Sequence, residues 1–84
     1  MKRIDRIYEY IKKKSAGYTL DTLKGRIGVD AQEIAEALDI LRNNVSMELN
    51  ALHRQDRIVK IMGRPVLYFD KETLENLCGE PIGM

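Results

Sequence analysis

The sequence has no apolar run longer than a few residues, far short of the roughly 20 that a bilayer-spanning helix needs. Its first stretch, MKRIDRIYEYIKKK, is charged throughout and lacks the apolar block of a signal peptide, so the expected compartment is the cytoplasm. Cysteine and histidine each occur once. Cys78 alone closes no internal disulfide, and with His53 it is too small a ligand set for a zinc site built from this chain. His53 has no Ser or Cys nucleophile beside it in the sequence, and Gly25 and Gly28 lack both the following Lys and the preceding strand of a phosphate loop. Glu33 and Glu36, three apart, read as a solvated helix face and not as a general acid and base. No enzymatic activity and no cofactor are expected. There is no internal repeat and no low-complexity segment.

What is present fits one small soluble domain over residues 1–84: 44% of the residues are hydrophobic and 32% charged, with room for a single core. Fourteen Lys and Arg against 13 Asp and Glu give a net charge of +1, but the charges are segregated. Residues 1–14 carry six basic and two acidic side chains, whereas residues 30–39 carry Asp30, Glu33, Glu36 and Asp39 and no base. Residues 41–69 return to five basic and two acidic, and residues 70–84 fall to one basic and four acidic. Separate basic and acidic faces favour one orientation on a polyanion. Ordinary solvated helix faces would give the same division, so charge points to a polyanion only together with geometry.

Ile4, Ile7, Tyr8 and Ile11 recur at helical spacing and predict an amphipathic helix over residues 3–14, ending near Ser15 to Gly17. Gly25 and Gly28 interrupt residues 18–29, which read as a short helical turn followed by an extended segment. Asp30, followed by Glu33, Ile34, Ala35 and Leu38, has the form of a capped helix from about Ala31 to Leu38. A very short connection leads to a third helix marked by Val45, Leu49 and Leu52 and ending near Gln55. Two helices joined so tightly must cross steeply, which predicts a helix-turn-helix at about 31–54. RIVKI (57–61) and VLYF (66–69) then switch to an extended, β-branched and aromatic pattern around a turn at Met62 to Pro65. This hairpin, at about 57–69, has the position of a wing. Asp70 caps a last short helix, about 71–77, containing Leu74 and Leu77 and ended by Gly79 and Pro81. The expected fold is mainly α with a small β-hairpin: a winged helix-turn-helix.

With Val45, Leu49 and Leu52 turned inward, a 100° rotation per residue puts Asn43, Met47, Asn50 and Arg54 on the opposite face, flanked by Asn44 and Ser46. Asparagine pairs with adenine through donor and acceptor, arginine with guanine or phosphate, serine with either, and a methionine lies against a thymine methyl. The residues expected to contact base edges are Arg42, Asn43, Ser46, Met47 and Asn50, those at the helix start first. Asn is a mediocre helix former, so three in this helix are hard to explain by stability, while Glu48 counts slightly against a DNA face. At the hairpin tip, Gly63 permits the turn, Pro65 restricts it, and Arg64 is presented as a cation suited to a minor groove. Lys2, Arg3, Arg26, Asn44, Arg54, Arg57 and Lys60 are candidate phosphate contacts, which add affinity without sequence preference.

Together MKRIDRIYEYIKK, AQEIAEALDILRNNVSMELNALHRQDRIVKI and GRPVLYF resemble the amino-terminal winged helix-turn-helix domain of LevR-type transcriptional activators. In that family, of bacterial regulators of sugar phosphotransferase operons, such a domain precedes an ATPase module that remodels an alternative sigma factor and then phosphotransferase-regulated domains. The resemblance covers residues 1 to about 77. The helix-turn-helix pattern is shared by very many regulators, and its combination with the RIDRIYEYI opening and GRPVLYF is the more specific feature. The resemblance implies that Arg42, Asn43, Asn44, Ser46 and Met47 belong to a recognition helix and Gly63, Arg64 and Pro65 to a wing. Asp39 and Asp56 stand where Gly is usual, and Leu41 replaces the usual Ser at the recognition helix's start, removing a cap.

The expected function is sequence-specific binding of double-stranded DNA as the DNA-binding domain of a bacterial transcriptional regulator of sugar uptake or phosphotransferase operons. The domain is expected to be part of a longer, oligomeric regulator and to make no membrane contact. The alternative is a winged-helix protein-interaction module, in which the hairpin edge and the apolar side of the last helix dock a partner.

Overall fold

The computed structural model describes residues 1–23 and 25–79. Helix α1, Arg3–Ser15, turns Ile7 and Ile11 fully inward and carries Asp5 in its first turn and Lys12, Lys13 and Lys14 in its last, the arrangement that complements the helix dipole. A single 3-10 turn at Asp21–Leu23 follows, and where the sequence pattern suggests an extended segment the chain bends at Gly25 and Gly28 before the bridge residue Val29. Helix α2, Ala31–Leu38, starts where the Asp30 side chain accepts a hydrogen bond from the Glu33 N–H at 2.7 Å. It stops at Asp39, whose left-handed backbone (φ 55°) lets the N–H groups of Asp39 and Ile40 both reach the Ala35 carbonyl. Helix α3, Arg42–Arg54, begins two residues later at an N-cap, Leu41, that makes no side-chain capping bond.

Strands β1, Ile58–Ile61, and β2, Leu67–Asp70, pair antiparallel, with Ile58 opposite Asp70 and Ile61 opposite Leu67. Both begin one residue later than the sequence pattern suggests. The Arg57 N–H is held by the Leu52 carbonyl and its own carbonyl accepts from Lys71, so Arg57 is committed to α3 and the last helix before the ladder starts. At this same end of the ladder Asp70, opposite Ile58, is at once the last residue of β2 and the N-cap of α4, Lys71–Cys78, which closes on Gly79 (φ 77°). Pro81, expected to help end this helix, lies outside the described residues. The free edge of β2 is taken by Val29, which exchanges two hydrogen bonds of 3.0 and 2.8 Å with Tyr68. A Cβ on the preceding Gly28 (φ 104°) would lie 2.5 Å from the Tyr68 carbonyl oxygen, so this close approach requires glycine.

Ile7 and Ile11 from α1, Ile34 from α2, Val45, Leu49 and Leu52 from α3 and Ile58 from β1 form the core, each contributing roughly 1.5–3 kcal/mol by burial. Phe69 is buried with its ring edge-to-face on Tyr18 at 5.1 Å. Asp70 is fully buried and pins the hairpin to the helices: Oδ1 accepts from the Tyr8 hydroxyl at 2.7 Å, Oδ2 from the Thr73 N–H and hydroxyl, and its own N–H donates to Ser15 Oγ at 2.9 Å. Four helices and a two-stranded hairpin in this order make a winged helix-turn-helix. Among the described residues no helix is long and apolar enough to cross a membrane.

Candidate nucleic-acid interface

The rotation that buries Val45, Leu49 and Leu52 exposes Arg42, Asn43, Met47, Asn50 and Arg54 and leaves Asn44 and Ser46 half-buried on the flanks. The side chains of Arg42, Asn43, Asn50 and Arg54 make no hydrogen bond or ion pair among the described residues. Their donors and acceptors are therefore open to solvent along a helix about 20 Å long, a cylinder that matches the width of a DNA major groove.

Glu48, the one acidic residue of α3, is neutralised. Arg3 Nε donates to its Oε2 at 2.8 Å, which brings the start of α1 and Lys2 beside the middle of α3. Arg6, one turn along α1, donates to the Leu38 carbonyl at 3.2 Å and so holds the last turn of α2 just before the sharp connection to α3. Tyr10 donates to Glu33 Oε2 at 2.9 Å, a second tie between α1 and α2. Burial first, and then the bond to Glu33, push the Tyr10 phenol up to about 12. Burial and the bond to Asp70 raise Tyr8 to about 12 as well.

The hairpin tip places Met62, Gly63, Arg64 and Pro65 in solvent, and Arg64 makes no ion pair among the described residues. The Arg64–Pro65 peptide is cis. Arg26 sits against this tip: Nη1 donates to the Met62 carbonyl at 3.3 Å and Nη2 to the Pro65 carbonyl. Lys60 is half-buried on β1, opposite Tyr68.

Arg57 stands apart from these groups. It lies at the opposite end of β1 from the tip, its guanidinium 4.1 Å from the centre of the Tyr8 ring, in a cleft shared with Asp56, Lys71 and Glu72. The structure thus gathers Arg42, Asn43, Met47, Asn50 and Arg54 on one helix face, with Ser46 and Asn44 at its margins, and Arg64 with Arg26 at the wing, while Arg57 is directed toward α1 and α4. The engagements of Arg3, Arg6 and Arg26 join residues 45, 32 and 36 to 39 positions apart. No local spacing signals them.

No family model matches the sequence, and no solved structure matches it. Two curated proteins do. The chain is 46% identical over 77 residues, 92% of its length, to the transcriptional regulatory protein LevR of Bacillus subtilis (strain 168). It is 30% identical over 82 residues, 98% of its length, to the transcriptional regulatory protein DagR of Salmonella typhimurium (strain 14028s / SGSC 2262). It spans only 8% and 9% of the lengths of these relatives. On this similarity and this fold, the chain resembles a domain of LevR-type transcriptional regulators.

Proposed function

We propose that the chain binds double-stranded DNA and reads its sequence for a bacterial transcriptional regulator of sugar-uptake or phosphotransferase operons. The observation that carries this reading is the outward face of α3: Asn43, Asn50 and Arg54 exposed and unpaired among the described residues, and the helix's one carboxylate cancelled by Arg3. In the proposed mechanism α3 lies in the major groove, where Arg42, Asn43, Ser46, Met47 and Asn50 meet base edges, and Arg64 follows the adjacent minor groove. Lys2, Asn44, Arg54 and Lys60 hold phosphates. One domain makes few such contacts, so binding is weak and salt-dependent, and gains specificity when an oligomeric regulator sets two copies on a repeated site. The names of both relatives support the regulatory role.

The test separates positioning from reading. Arg64→Ala should weaken binding to most duplexes alike, whereas Asn43→Ala or Met47→Ala should change the preferred base at one position, by about 1–3 kcal/mol. Variants of both kinds that bind every duplex as the parent does would overturn the assignment. A protein-docking role is favoured by a different observation: Leu41, Met47 and Met62 are 75%, 61% and 71% exposed at the start of α3, on its outward face and at the wing. In that case Met47→Ala and Met62→Ala would abolish partner capture while Arg64→Ala left it intact.

A further inference from the structure

The four residues of the wing turn, 62–65, make no backbone-to-backbone hydrogen bond among the described residues. A turn without its own closing bond samples many conformations, and fixing each residue costs entropy. Here a side chain from the segment alongside the free edge of β2 supplies the missing ties. Arg26 extends from the segment that leads into Val29 and donates to the carbonyls of Met62 and Pro65, the two residues that bracket Gly63 and Arg64. Its guanidinium occupies the space above Gly63: a Cβ there would lie 1.9 Å from Arg26 Nη1, and the backbone at Gly63 has φ 146°. Arginine's planar fork spans two carbonyls at once, which an ammonium at a single point does not.

We propose that Arg26 is a positioning residue of the wing: seated over Gly63 and bonded on both sides of it, its guanidinium holds the tip in the conformation that presents Arg64 to a duplex. The proposal rests on the hairpin acting as a DNA-contacting wing. It assigns Arg26 a role carried through Arg64, distinct from that of an independent phosphate contact. It also makes Gly63 and Arg26 a pair, since any side chain at position 63 expels the guanidinium and releases the turn.

Two readouts on the whole chain test it. The first uses no DNA: backbone 15N relaxation of Gly63, Arg64 and Val66 in the parent, Arg26→Ala, Arg26→Lys and Gly63→Ala. All three variants should show fast motion confined to the tip, with the melting temperature of the exposed-site variant Arg26→Ala close to that of the parent. A tip that stays rigid in Arg26→Ala overturns the proposal. The second is duplex binding by fluorescence anisotropy. Arg26→Ala should weaken binding roughly tenfold, the fold-change equivalent to releasing about one residue of backbone. Arg26→Lys, which keeps the charge but not the fork, should weaken it nearly as much. In an Arg64→Ala background the effect of Arg26→Ala should shrink below about twofold, because coupled residues do not add. Losses that multiply, or full binding by Arg26→Lys, would make Arg26 a direct phosphate contact and overturn the positioning role. If the parent itself binds no duplex, the DNA reading fails, and the relaxation data still decide whether Arg26 orders the tip.

Discussion

Asp30 and Asp70 perform the same local task in different surroundings, and replacing each with Ala separates a helix cap from a buried polar centre. Asp30 accepts from the Glu33 N–H at 2.7 Å at a partly exposed site. Losing it removes an ordinary N-cap, about 1 kcal/mol. Asp70 accepts from the Thr73 N–H at 3.1 Å in the same way, but its carboxylate is fully buried and also holds the Tyr8 hydroxyl at 2.7 Å and the Thr73 hydroxyl at 2.6 Å. Each hydrogen bond to a charged acceptor is worth about 1.5–3 kcal/mol, and the three share one carboxylate, so the combined loss is on the order of 3 kcal/mol. A domain of this size has about 4–13 kcal/mol of stability in total, and 3 kcal/mol should lower its melting temperature by about 12–24 °C. Asp70→Asn keeps one acceptor oxygen for the cap but replaces the other with an NH2 group, so it should cost at least one charge-assisted bond, about 1.5–3 kcal/mol. Urea unfolding followed by circular dichroism measures all three variants. Equal losses for Asp30→Ala and Asp70→Ala would refute the claim that Asp70 ties α1, the hairpin and α4 together.

Gly28→Ala forces a Cβ to within 2.5 Å of the Tyr68 carbonyl at a φ of 104°, so it should cost about 3 kcal/mol or more and speed hydrogen exchange at the Val29 and Tyr68 amides; unchanged protection there would contradict the close packing. Tyr8 and Tyr10 titrate near 12 in the folded chain and near 10 when unfolded, so the stability they add is complete below about pH 10 and is lost as pH rises toward 12; alkaline unfolding should shift in Tyr8→Phe and Tyr10→Phe, and a midpoint identical to the parent's would contradict the raised values. Arg3→Ala uncovers the Glu48 carboxylate beside the outward face of α3 and should weaken duplex binding, and adding Glu48→Gln should restore most of the loss; failure of that rescue would show that Arg3 contacts the duplex itself.

Much of the fold was legible because local signals agreed with tertiary packing. Asp30 with Ile34, Ala35 and Leu38 delimits α2 to the residue, since the cap and the apolar stripe both lie within the helix. Val45, Leu49 and Leu52 orient α3 for the same reason, and through them the sequence pattern yields its exposed face. Asp39 and Asp56, which stand where Gly is usual, adopt the left-handed backbone that glycine favours, at φ 55° and 61°. The strand ends shift by one residue because Arg57 and Asp70 serve two elements at once, which a one-dimensional pattern does not encode. Residues 18–29 read as a turn and an extended stretch, but the pairing of Val29 with Tyr68 spans 39 positions and leaves no periodicity to detect. At the site the same limit applies: Arg3, Arg26 and Arg57 look alike in the sequence as basic residues near a DNA face, and only folding directs them to Glu48, the wing carbonyls and the Tyr8 ring.

The most direct test of DNA binding is fluorescence anisotropy of a labelled duplex titrated with the chain across a salt series, alongside Arg64→Ala. The expected result is affinity that falls steeply with salt, with the slope of log K against log salt reduced by about 0.9 in Arg64→Ala if one phosphate neutralisation is lost. No binding at low salt, or binding indifferent to both salt and Arg64, would contradict a duplex-binding role for α3 and the wing.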